Sequence, residues 1–141
     1  MKILFIDDHP YSMKNALLFM REKGDLVDCP DVGTCNWIDL LEHARKSDVM
    51  VLDLKLEPNN LFDDSVRVVG QMGEEILRRI RSAHCRIPVV ILSRLAPEGA
   101  DRVRLQRLGV TLILAKSQMT SLNEFRETLS RVAASAAAQE K

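Results

Sequence analysis

Five polar side chains stand where short apolar runs stop: Asp7 and Asp8 after KILFI, Asp53 at the end of VMVLD, Ser93 after PVVIL and Lys116 after TLILA. If those runs are parallel strands of one sheet, ligands lie outside their carboxyl ends, and residues distant in sequence meet in one pocket. Three carboxylates together repel one another and hold their protons more tightly unless a cation compensates. Hard oxygen donors at that density select Mg²⁺, with waters completing its octahedron. Lys116 supplies the remaining positive charge. A carboxylate beside bound Mg²⁺ attacks an activated phosphorus when a lysine and a hydroxyl bind the phosphoryl oxygens that the metal does not. These residue types therefore describe an aspartyl phosphate site.

The elements that must position them are legible as alternating patterns. Apolar, β-branched runs at 2–6, 25–29, 49–53, 88–92 and 111–115 predict five strands, separated by amphipathic stretches that predict helices over 12–22, 36–46, 73–82 and 97–108. Gly109 stands where the last of these would end in a left-handed residue. After the fifth run, Leu122, Phe125, Leu129 and Val132 recur at helical spacing and predict a helix with one buried face. The tail AASAAAQEK is expected to prolong that helix and then fray over 134–141. Strand and helix alternate throughout, which predicts an α/β fold: a parallel sheet covered on both faces, with five helices. The segment 54–72 is too long for an ordinary connection and is expected to be an extended loop, functional or mobile, between the third strand and its helix.

Length and composition bound the rest. The 141 residues suit one domain, and 46% apolar with 28% charged residues is a globular composition. No stretch is apolar enough to cross a bilayer, and acids interrupt the N-terminal run where a signal peptide needs apolar residues, so a cytoplasmic protein without a membrane partner is expected. Cys29, Cys35 and Cys85 lack the spacing of a zinc or redox motif and are read as reduced, unpaired thiols. Net charge is zero, but residues 1–72 carry 8 basic against 13 acidic side chains and the remainder 12 against 7, an asymmetry suited to protein surfaces. Arg102, Arg104 and Arg107 are read as a solvated or protein-binding face; without a helix-turn-helix, no direct contact with nucleic acid is expected.

From ILFIDDHP through VMVLDL, MGEEILRRIR, IPVVILS and LGVTLILAKS, nearly the whole chain resembles the receiver domains of response regulators in two-component signalling. The resemblance implies a flavodoxin-like, doubly wound five-stranded sheet of order 2-1-3-4-5. By motif, Asp7 and Asp8 become the acidic pair that holds Mg²⁺, and Asp53 the phosphoacceptor and a further ligand. Lys55 lends a backbone carbonyl to the metal, Ser93 binds a phosphoryl oxygen, and Lys116 pairs with the phosphate and Asp53. The implied activity is a switch more than a turnover: phosphoryl transfer from a histidine kinase or phosphotransfer protein, slow self-dephosphorylation modified by Lys55 and Leu95, and output to a downstream protein effector. A homodimer is compatible with this and not required.

The chain also departs from the family pattern. An apparent insertion of about ten residues separates Pro58 from Gly73 and includes Asp63 and Asp64, read as a solvated loop. Ser117 replaces the proline usual after the lysine, so a trans bond is expected there. Ile113 stands where many members carry a switching aromatic ring, and Arg94 follows Ser93 where a small residue is common and is expected to face solvent. His9 is read as a loop residue, His43 and His84 as isolated, and Trp37 as half-packed against the second helix. A flavin or nucleotide binder of the same topology would want a glycine-rich cradle after the first strand, where Asp7-Asp8 instead repels anions, and a haloacid-dehalogenase-type phosphatase would want an acid at Lys55. The remaining alternative is a receiver-like interaction module that signals without phosphate.

Overall fold

Five parallel strands form one sheet of order β2-β1-β3-β4-β5: β1 Lys2–Ile6, β2 Leu26–Asp28, β3 Val49–Leu52, β4 Val89–Ser93 and β5 Val110–Ala115. Five helices alternate with them: α1 Lys14–Glu22, α2 Trp37–Lys46, α3 Met72–Ser82, α4 Gly99–Arg107 and α5 Leu122–Gln139. A 3₁₀ turn over Lys116–Gln118 follows β5. This computed structural model describes residues 1–7, 13–31, 35–56, 72–119 and 121–139. The predicted fold class, strand order and five helices are all present.

The central strands β1, β3 and β4 are buried on both faces, and their alternation sorts side chains into two cores. Leu4, Ile6, Met50, Leu52, Val89 and Ile91 point one way and pack with Leu40 and Ala44 of α2, Ile76, Leu77 and Ile80 of α3, and Leu105 of α4. Ile3, Phe5, Val49, Val51, Val90 and Leu92 point the other way and pack with Ala16, Leu17 and Met20 of α1 and with Phe125, Leu129 and Val132 of α5. The expected buried face of the last helix is thus observed, and α5 continues helically to Gln139 through the alanine-rich stretch where fraying was expected to begin.

Boundaries differ from expectation where a local rule intervenes. The helix expected from 97 starts at Gly99, Glu98 before it being extended (φ −131°, ψ 170°). Strand β2 spans three residues, Asp25 being drawn into an ion pair with Arg126 of α5. Leu54 and Leu56, expected at the start of the long loop, are buried in the core shared by α2, α3 and α4; residues 57–71, with Pro58, Asp63 and Asp64, lie outside the described residues. Asn36 caps α2 by accepting the Asp39 N–H at 2.9 Å. Gly109, at φ +81°, ends α4 in the left-handed conformation its type allows.

Candidate functional site

Strand register brings the expected residues to one edge. Ile6 pairs with Leu52, so Asp7 and Asp53 leave β1 and β3 side by side, and the Asp53 N–H extends that ladder by donating to Ile6 O at 2.9 Å. Ser93 pairs with Ala115, which places the hydroxyl residue at the end of β4 beside the point where Lys116 leaves β5. Asp7, Asp53 and Ser93 are 6%, 8% and 5% exposed.

One cation joins the two acids. Lys116 Nζ lies 2.9 Å from Asp7 Oδ2 and 3.4 Å from Asp53 Oδ2. The other Asp53 oxygen, Oδ1, accepts the Lys55 backbone N–H at 3.1 Å. Burial pushes the Asp53 carboxyl above its ordinary value; the Lys116 charge and the Lys55 amide oppose this, and the Asp7 charge adds to it. Burial alone would weaken the Lys116 ammonium, but its hydrogen bond to Asp7 and the charges of Asp7 and Asp53 outweigh that, and its proton is held more tightly than in an ordinary lysine. Two buried carboxylates sharing one ammonium leave net negative charge at a site of oxygen donors, which suits a hard divalent cation. Of the expected metal ligands, Asp7 and Asp53 are adjacent, the Lys55 backbone is in contact with Asp53 through its amide, and Asp8 lies outside the described residues, as does His9.

The other singled-out residues fall into quieter places. Arg94 and Leu95 are exposed after β4, as expected for Arg94. His43 Nδ1 sits 3.2 Å from Asp28 Oδ2, and His84 occupies a left-handed turn at φ 62°. Trp37 begins α2 and packs partly against the core. The thiols of Cys29, Cys35 and Cys85 are free. No cis peptide occurs among the described residues, the Lys116–Ser117 bond included.

Two further residues shape the site. Gly73 lies against the backbone of the acceptor segment: its N–H donates to Leu54 O at 2.9 Å, and a Cβ there would collide with Asp53 O and stand 2.6 Å from Leu54 Cα. A glycine just inside a helix after a long loop was the available signal. Gln118 accepts the Ala115 N–H on Oε1 at 2.9 Å and so closes the turn that carries Lys116.

No family model matches the sequence, and no curated protein sequence does. Solved structures do. A CheY-like response regulator receiver protein from Methanospirillum hungatei superposes with a TM-score of 0.71 at 11% identity, over 98% of this chain and 97% of that one. The chain has the receiver fold. The receiver domain of a Francisella response regulator shares it at TM-score 0.66 and 18% identity, over 96% of this chain and 98% of that one. The receiver fold also appears in the receiver domain of a Pseudomonas aeruginosa sensor histidine kinase at TM-score 0.64 and 22% identity, over 94% and 97% of the two chains. That structure has a magnesium ion coordinated in its active-site cleft.

Proposed function

We propose that this chain is a phosphoacceptor receiver of a two-component or phosphorelay system, taking a phosphoryl group onto Asp53 and signalling through protein contacts. The observation that carries the reading is the Lys116 ammonium set between two buried carboxylates at the carboxyl edge of a receiver-fold sheet. An ion pair kept only for stability gains little from two crowded acids, whereas a phosphoryl acceptor needs both them and the cation.

Asp7, Asp8 and Asp53, with the Lys55 carbonyl, are the groups that would hold Mg²⁺, and the ion when bound neutralises phosphoryl oxygens. Asp53 supplies the nucleophile: a carboxylate oxygen bonds to phosphorus as the bond from phosphorus to the donor's nitrogen or oxygen breaks, and the donor leaves with that electron pair. The Lys55 amide fixes the carboxylate rotamer through Oδ1. Lys116 keeps its proton and pairs with the incoming charge; the Ser93 hydroxyl donates to another phosphoryl oxygen. The burial of this edge restricts water and slows hydrolysis of the product. The donor is a histidine kinase or phosphotransfer protein, the recipient of the signal a protein effector, and the compartment the cytoplasm, where such donors act. Among the described residues no helix is long and apolar enough to cross a membrane.

Intact mass after incubation with acetyl phosphate and Mg²⁺ tests this: one added phosphoryl group is expected, absent in Asp53→Ala and without the metal. A phosphate-independent interaction module is favoured by the buried aliphatic Ile113 in place of a movable ring, together with Ser117 after the lysine and the inserted segment. That reading wins if folded protein gains no mass and binds no beryllofluoride with Mg²⁺.

A further inference from the structure

Lys116 acts far from its own strand. β5 is the edge of the sheet beyond β4, and the carboxylates that hold the ammonium follow β3 and β1, two and three strands away. Neighbouring strands are about 4.8 Å apart, so the end of β1 lies roughly 14 Å across the sheet from the line of β5. Backbone that simply continued β5 would carry Lys116 away from both acids. The chain turns instead: Ala115 is extended (φ −86°, ψ 144°), and Lys116–Gln118 form a single 3₁₀ turn.

Such a turn has poorer hydrogen-bond geometry than an α-helix. Its backbone closes with the Met119 N–H donating to Lys116 O at 3.2 Å. Ser117 follows the lysine, so no proline ring fixes φ there. The two ends are anchored, Ala115 by pairing with Ser93 of β4 and Met119 by packing on the core between the sheet, α1 and α5. The direction in which residue 116 projects depends on what spans the turn between those anchors. The Gln118 side chain spans it, accepting the Ala115 N–H on Oε1 at 2.9 Å. This bond ties the residue before the lysine to the residue two beyond it and encloses Lys116 in a ring closed by a side chain. Gln118 is otherwise an exposed residue on the surface of the turn.

We propose that Gln118 is a positioning residue for phosphoryl transfer: by accepting the Ala115 amide it aims the Lys116 ammonium at Asp7 and Asp53. It touches no phosphoryl group and acts only through the lysine. The inference rests on the reading of Asp53 as the acceptor, and it assigns the placement of the ammonium to a side-chain bond that the strand alone does not supply.

The rate at which intact protein gains phosphoryl mass, measured across concentrations of Mg²⁺ at fixed acetyl phosphate, tests it. Gln118→Met, a change at an exposed side chain, keeps the length and removes the oxygen. It is expected to lower the maximal rate about fivefold, the factor carried by one ordinary hydrogen bond, without raising the Mg²⁺ concentration needed for half that rate. Gln118→Glu, whose carboxylate takes the same amide as a glutamine does in a capping box, should keep at least half the wild-type rate. Urea midpoints on the same proteins establish that each is folded. Gln118→Met at the wild-type rate, a slowing that comes with a raised Mg²⁺ requirement, or Gln118→Glu as slow as Gln118→Met overturns the positioning role alone. Wild type that gains no mass overturns the acceptor reading and the role with it.

Discussion

Asp53 sits beside one ammonium and a second carboxylate, and this sets the sign of its effect on stability. Its folded-state proton affinity is raised, so the associated stability is complete below the ordinary value of 3.8 and is lost as pH rises through the higher folded value. At neutral pH the ionised carboxylate is therefore a cost to the fold. Asp53→Asn is expected to stabilise the metal-free protein by about 1 kcal/mol in urea unfolding and to abolish the mass gain with acetyl phosphate. A destabilised Asn variant would mean that the Lys116 contact at 3.4 Å outweighs burial. The meeting of Asp7, Asp53, Ser93 and Lys116 at one sheet edge was legible because each is a polar type ending an apolar run, and parallel topology then fixes where they meet. Gly73 was marked only by its type, a glycine just inside a helix after a long connection, and Gln118 not at all, since closure of a turn leaves no mark on residue type or spacing.

At the scale of elements, strands were read more securely than helix starts, because burial on both faces makes a parallel strand nearly continuous in apolar residues while a helix start depends on one or two caps. What spacing could not show is how α3, α4 and β4 are tied. Arg81 of α3 donates to four carbonyls: Cys85 O at 3.1 Å and Ile87 O at 2.7 Å before β4, and Leu108 O and Gly109 O after α4. A guanidinium presents enough donors in one plane to serve all four, and an ammonium does not. Arg81→Lys is expected to lower unfolding free energy by about 2 kcal/mol while leaving phosphorylation of Asp53 intact, as measured by urea unfolding and intact mass. In sequence, Arg81 is one of several basic residues near the end of α3, and its neighbours Arg78 and Arg79 make ordinary pairs along the helix surface.

Across the whole molecule, two cores lie on opposite faces of the sheet, and an ion cluster ties the α1–α5 face to the strand edge. Asp25, with its side chain 2% exposed, accepts from Arg126 Nε at 2.7 Å and Nη2 at 3.1 Å and faces the Met1 ammonium at 3.5 Å. The Arg126 hydrogen bonds outweigh burial and hold this carboxyl below its ordinary value. Its contribution to stability is thus present above 3.8 and lost as pH falls through the lower folded value. Asp25→Asn should lose about 3 kcal/mol at neutral pH and show a flatter loss of stability on acidification below about pH 4, followed by urea titrations across that range. A variant as stable as wild type at neutral pH would show the cluster to be inert. The charge asymmetry between the halves of the chain, visible from composition, gave no hint of this pairing, which joins residues 101 positions apart.

The Gly73–Leu54 hydrogen bond also bears on how this molecule can be rebuilt. It joins the two ends of the 54–72 segment. Loop-closure entropy rises only by about 0.6 kcal/mol for each doubling of length. A peptide inserted between positions 57 and 71 is therefore expected to leave the fold intact in urea unfolding, provided that Gly73 and the core residues Leu54 and Leu56 are retained.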